Sequence, residues 1–170
     1  MLRLGAIFFA FCTYAAGPAL AEGEPAATAP QEVTISHVSG KPVPRFESLR
    51  YAAVNGRTGP SQDHPIEWHY QRVGLPVLVL KETRGWRYVR DPHGAEVWMH
   101  ERTLTSSDTA MALTRDTLLS EPRSTGRPVA EVEDGAIVSL GRCERGYCHV
   151  SSGRHGGWAP MASLWGVASE

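Results

Sequence analysis

The chain has 170 residues, with 17 Lys and Arg against 18 Asp and Glu and a formal net charge of −1. A nucleic-acid binder carries a basic patch or stripe, and no such run stands in this balanced sequence. The length allows a short leader and two units of about 60 residues, each at the small end of what buries a stable core, so no separate catalytic domain is expected.

Residues 1–21 have the three parts of a secretory signal. Arg3 precedes the apolar run LGAIFFAFCTYAA (4–16), Gly17 and Pro18 break the helix, and Ala19-Leu20-Ala21 is a small-x-small end. An apolar run of about 13 residues falls short of the roughly 20 that span a bilayer. Cleavage after Ala21 and a soluble periplasmic or secreted product are therefore expected, with no stable membrane insertion. Phe11 stands where a lipoprotein signal places a small residue before its cysteine, here Cys12.

Residues 22–44 read as a flexible N-terminal tether. Glu22 to Gln31 is rich in Ala and Pro without apolar periodicity, so it buries too little to order itself. Within 33–44 a brief alternation of Val33, Ile35 and His37 predicts an edge strand ended by Gly40, Pro42 and Pro44. A first domain is expected over 45–106. It opens with the strand FESLRY, passes through the turn-rich AAVNGRTGPSQDHP, and continues with IEWHYQRV, in which Ile66, Trp68 and Tyr70 alternate with Glu67, His69 and Gln71. VLVLKE, WRYVRD and AEVWMH follow, separated by a turn at 83–85 and by DPHG (91–94), where Pro presets one torsion and Gly accepts a positive φ. ERTLT predicts one 3₁₀ turn. Five short strands with tight turns predict a small β-barrel.

The second domain, 107–170, repeats that order: TAMALT, the turn-rich PRSTGRP, GAIVSLGRC, GYCHVSS, the GRHGG turn and GWAPMASL. Laying 72–104 over 133–164 aligns Gly74 with Gly135, Val77 with Val138, Gly85 with Gly146, Trp86 with Tyr147, Val89 with Val150, Trp98 with Trp158 and Leu104 with Leu164. Self-similarity at a fixed period marks repeated structural units. The fold expected is all-β: two small barrels in tandem.

With the leader removed, Cys143 and Cys148 are the remaining cysteines. In CERGYC, a turn at Arg145-Gly146 brings them across a short hairpin, and in an oxidising compartment a disulfide is the first reading. On the chain-entropy model so short a loop gains only about 2 kcal/mol, enough to staple a turn. A redox or metal pair is the alternative, but the spacing lacks the tight pairing and second pair of such sites. His64, His69, His93 and His100 fall in one domain without metal-ligand spacing, so neither metal nor cofactor is expected.

The order VNGRTGP (54–60), Pro65-Ile66, Gly74-x-x-Val77, GWRYVRD (85–91) and Gly94-x-x-x-Trp98 with Leu104 following resembles the bacterial SH3-like family. Its pattern reads approximately VNVRSGPG, G-x-x-V, W-x-x-V and G-W-V-x-x-x-x-L. The resemblance covers about 45–165 in two copies. It departs at Gly56, where the family has Val, and at Val97, where the family has Gly. The second copy lacks the Arg-x-Gly-Pro segment, and Tyr147 replaces the first Trp. The resemblance implies an SH3-like barrel in each half and, if the first-copy segment lines the family's ligand groove, a second copy that keeps the fold without the binding.

SH3-like barrels that bind peptides hold an extended ligand in a shallow aromatic groove. Tyr51, Trp68, Tyr70 and Tyr88 are groove candidates, beside a long loop that carries Arg57, Asp63 and His64. Those loop residues equally suit a solvated turn, and Trp68 suits either the groove or a contact between domains. Trp86 and Trp98 read as core filling, Trp158 and Trp165 as core and interdomain interface. Ser61, Asp63 and His64 lie close in sequence, but a triad is recognised by geometry. A non-enzymatic cell-envelope binding protein is expected, whose partner is a peptidoglycan stem peptide or an extended protein segment. The alternative is a structural or assembly subunit of an envelope complex with no small ligand. No motif sets an oligomeric state.

Overall fold

Alternating apolar positions and turn glycines cut this chain into short antiparallel strands. The computed structural model describes residues 32–106 and 108–168, and the expected leader (1–21) and Ala/Pro-rich stretch (22–31) lie outside the described residues. β1 (Thr34–Ile35) and β2 (Pro42–Val43) precede β3 (Arg45–Leu49), β4 (Val54–Arg57), β5 (Ile66–Tyr70), β6 (Pro76–Thr83), β7 (Trp86–Arg90) and β8 (Glu96–His100). A 3₁₀ turn over Glu101–Thr103, capped by His100 Nδ1 accepting from the Arg102 amide at 3.2 Å, leads into β9 (Leu104–Ser106). The second half runs β10 (Thr109–Ala112), β11 (Asp116–Leu119), β12 (Pro128–Val132), β13 (Ile137–Glu144), β14 (Tyr147–Ser152), β15 (His155–Pro160), a 3₁₀ turn over Met161–Ser163 and β16 (Leu164–Trp165).

Each half is one seven-stranded sheet, ordered β5-β4-β8-β7-β6-β3-β9 in the first and β12-β11-β15-β14-β13-β10-β16 in the second. Adding seven to each label of the first order gives the second, so the repeat seen in sequence is a repeat of topology. Gly85 and Gly146, both at φ 77°, turn the β6–β7 and β13–β14 hairpins in the left-handed region that any Cβ disfavours. The Glu101 amide donates to Gly85 O, and the Met161 amide donates to Gly146 O. The same bonds thus fix equivalent places in both halves.

The first apolar cluster gathers Leu49, Val54, Val77, Val79, Val89, Val97, Met99 and Leu104. The second gathers Ala110, Ala112, Leu118, Val138, Cys148, Val150, Ala159 and Leu164. The halves also interlock. Met111 belongs to the first cluster, and Ile137 and Trp165 pack against it. Trp165 meets Phe46 edge to face at 5.3 Å and donates through Nε1 to Pro76 O at 3.1 Å. Thr109 Oγ1 donates to Gly74 O at 2.6 Å, and Arg72 donates to Gly135 O at 2.8 Å.

Two placements differ from the sequence reading. Residues 34–43, counted with the tether, form a β1–β2 hairpin that Gly40 turns at φ 70°. Ser39 at its tip donates to Glu82 at 2.6 Å, so the alternation that read as a lone edge strand closes on itself and docks. Trp98, read as core, lies half-buried on the outer face of β8, whose inward residues are Val97 and Met99. Trp86, read as core, is buried beside His100, with ring centroids 5.2 Å apart.

Cys143 and Cys148 form the disulfide, directly opposite each other on β13 and β14. The equivalent pair on β6 and β7 is Glu82 and Arg87. Glu82 has no exposed side-chain surface and pairs with Arg45 and with Arg87, whose Nε lies 2.7 Å away without the alignment of a hydrogen bond. Arg87 also pairs with Glu101 at 2.8 Å, and Arg45 with Glu47 at 2.6 Å. One half staples this hairpin by charge, the other by a covalent bond.

Candidate functional site

β5 lies at one end of the first sheet and pairs with β4 alone. Val54 faces Tyr70, Asn55 faces His69 and Gly56 faces Trp68, after which the register shifts so that Arg57 faces Ile66. Alternation along β4 buries Val54 and Gly56 and turns Asn55 and Arg57 outward. Trp68 and Tyr70 share the inward side, but Trp68 projects past the barrel and remains 53% exposed. Ile66 is 39% exposed. Tyr70 instead packs on the core and donates to Asp91 Oδ2 at 3.1 Å. Burial first, and then the Asp91 carboxylate, push its phenol well above the ordinary value.

The loop between β4 and β5 folds on itself. The Thr58 amide donates to Pro65 O at 3.1 Å, and Arg57 donates to His64 O at 2.7 Å. Ser61 Oγ lies 2.9 Å from His64 Nδ1, and it accepts from the Asp63 amide at 3.1 Å. The Asp63 carboxylate approaches Ser61 at 3.4 Å; it does not orient the imidazole as a triad requires. A Cβ at Gly59 would fall 2.3 Å from the His64 ring, so the ring lies flat on the loop backbone. Arg57, Asp63 and His64 are thus brought together, each holding the loop's shape.

On the outer face a second group forms. Arg57 is the cross-strand neighbour of Trp98, and Trp98 of Tyr88. The two rings tilt together at 5.1 Å, Lys81 Nζ sits 4.4 Å from the Tyr88 centroid, and the Tyr88 hydroxyl donates to Glu96 at 2.8 Å. That hydrogen bond is the main cause that raises the phenol's pKa and lowers that of Glu96, which Arg90 holds at 2.6 Å. The second half repeats the row, with Arg142 over Trp158 at 5.3 Å and His149 edge to face with it at 5.5 Å. Tyr51 is 50% exposed beyond β3 and makes no hydrogen bond or ring contact with the other candidates among the described residues. The seven candidates therefore fall on two faces and a loop. Lys81 and Trp98 were missed by sequence reasoning, because nothing along the chain told which side of β8 would be covered.

Among the described residues no group of His, Cys, Asp and Glu could hold a metal ion, and no helix is long and apolar enough to cross a membrane. Two segments, 50–105 and 114–166, match the model of the bacterial SH3 domain. The chain belongs to that family, as two tandem copies. No curated protein matches it. Among solved structures it is similar to NlpC1 from Trichomonas vaginalis, with 17% identity over 76% of this chain and 48% of that one and a TM-score of 0.33. It is also similar to NlpC2 from the same organism, with 15% identity over 72% of this chain and 48% of that one and a TM-score of 0.34. The chain spans about half the length of either structure.

Proposed function

We propose that this is a non-enzymatic binding protein of the cell envelope, working in the periplasm, whose first barrel takes up an extended peptide along β5. The carrying observation is an unpaired strand edge that bears an exposed Trp68 and Ile66. An edge strand offers a row of free N–H and C=O groups to an incoming chain, and neighbouring pockets or rings read its alternate side chains. At the equivalent places β12 has Pro128 and Ala130, which remove a donor and an aromatic anchor, so recognition belongs to the first copy. The Cys143–Cys148 disulfide supports an oxidising compartment, and peptidoglycan stem peptides or an extended segment of an envelope protein suit such an edge.

Sedimentation with purified peptidoglycan tests this reading. Wild type is expected in the pellet, and Trp68→Ala is expected to weaken binding at least tenfold while its far-UV spectrum stays unchanged. Failure of wild type to sediment, together with a stable complex recovered from envelope extracts, would favour an assembly subunit instead.

A further inference from the structure

At the other end of the first sheet, where β3 meets β9, a cleft of about 360 Å³ is lined by Lys41, Glu47, Arg50, Arg87, Glu101 and Arg102, with Thr105 and Ser106 at one wall. Both carboxylates in it are already engaged, Glu47 by Arg45 and Glu101 by Arg87. Lys41, Arg50 and Arg102 form no ion pair among the described residues. With Arg45 and Glu82 behind the floor, five cations stand against three carboxylates, a local charge of +2 on a chain whose net charge is −1.

The second half shows what this place needs for folding alone. The Arg50 amide donates to Thr103 O as the Leu113 amide donates to Ser163 O, which makes Leu113 the counterpart of Arg50. By the same equivalence Glu101 and Arg102 correspond to Met161 and Ala162, Arg87 to Cys148 and Glu47 to Ala110. These five lining positions thus carry no charge in the second half, and Asp108 stands there at the place of Arg45. Unpaired arginines whose forks match an oxyanion in pairs, around a floor guanidinium only 9% exposed, are not a requirement of the barrel.

We infer that this cleft is a binding site for an oxyanion, a carboxylate or a phosphate carried on a polar molecule. Arg50 and Arg102 grip it in the fork, Lys41 closes the rim and Arg87 supplies fixed positive charge from below. The inference is independent of the β5 edge, which lies at the opposite end of the sheet order. The test titrates the full chain, at low salt, with inorganic phosphate in one arm and succinate in the other, following backbone amide shifts of Arg102, Thr105 and Ser106. The reference variant is Arg50→Leu with Arg102→Ala, which imports the second half's own residues. At least one probe is expected to shift these amides, with an affinity at least tenfold weaker in the double variant and also reduced in Lys41→Glu, while Trp68→Ala leaves it unchanged. A response to phosphate alone identifies a phosphate-bearing partner, a response to succinate alone a carboxylate-bearing one, and either supports the site. Silence from both probes, or equal affinities for wild type and the double variant with matching unfolding midpoints, overturns it.

Discussion

Gly56 and Val97 touch across β4 and β8: a Cβ on Gly56 would lie 2.7 Å from Val97 Cγ2. In the second half the counterparts are Leu118 and Gly157, and a Cβ on Gly157 would lie 2.8 Å from Leu118 Cβ. The two departures from the family pattern therefore meet in one space, which a side chain from β8 fills in the first half and one from β11 fills in the second. Gly56→Val is expected to cost about 1–3 kcal/mol by overpacking, and adding Val97→Gly to recover much of that loss. A double-mutant cycle on urea midpoints reads the coupling; simple additivity would show that the two positions do not share one space. Each departure was visible in the sequence. That they compensate was not, because the pair is separated by about forty positions and meets only through sheet register.

At the scale of elements, the β13–β14 hairpin carries its own test. Changing Cys143 and Cys148 together to Ser is expected to lower stability by about 2 kcal/mol on the chain-entropy model and to leave the all-β circular dichroism intact. A chain that no longer folds would show that the bond holds more than its turn. On the equivalent hairpin, burial raises the Glu82 pKa, but hydrogen bonds from Ser36, Ser39 and Arg45 outweigh it and bring the value down to about 2. A folded pKa below the ordinary value of 4.5 stabilises the fold above that value and loses its effect as pH falls toward 2. Unfolding midpoints are expected to drop across this window in wild type, and Glu82→Gln to be weaker at neutral pH by about 3 kcal/mol with a flatter acid limb. A parallel decline in both proteins would assign the acid sensitivity elsewhere. Strands and turns were legible because period-two alternation and turn glycines are local signals. The groove was less so: alternation shows that Trp68 and Tyr70 share a side, but not that one closes on Asp91 while the other leaves the barrel.

For the whole molecule, the sequence announced two units, and the structure adds that they share packing. Met111 sits in the first cluster, and Trp165 is bound to Phe46 and Pro76. A single cooperative unfolding transition is expected, with Trp165→Ala lowering the stability of both halves together by about 2 kcal/mol. Two separate calorimetric transitions in wild type would show the halves to be energetically independent. The charged cleft escaped sequence reading for a related reason. Lys41, Arg50, Arg87 and Arg102 come from four places in the chain, and no spacing rule joins them.

Because the same hairpin position holds Glu82 with Arg87 in one repeat and Cys143 with Cys148 in the other, the twins answer to different chemical insults. Acid slackens the earlier one and reductant the later. Amide hydrogen exchange under mild acid, and separately under dithiothreitol, should open each ribbon in turn, giving two orthogonal handles on a duplicated fold.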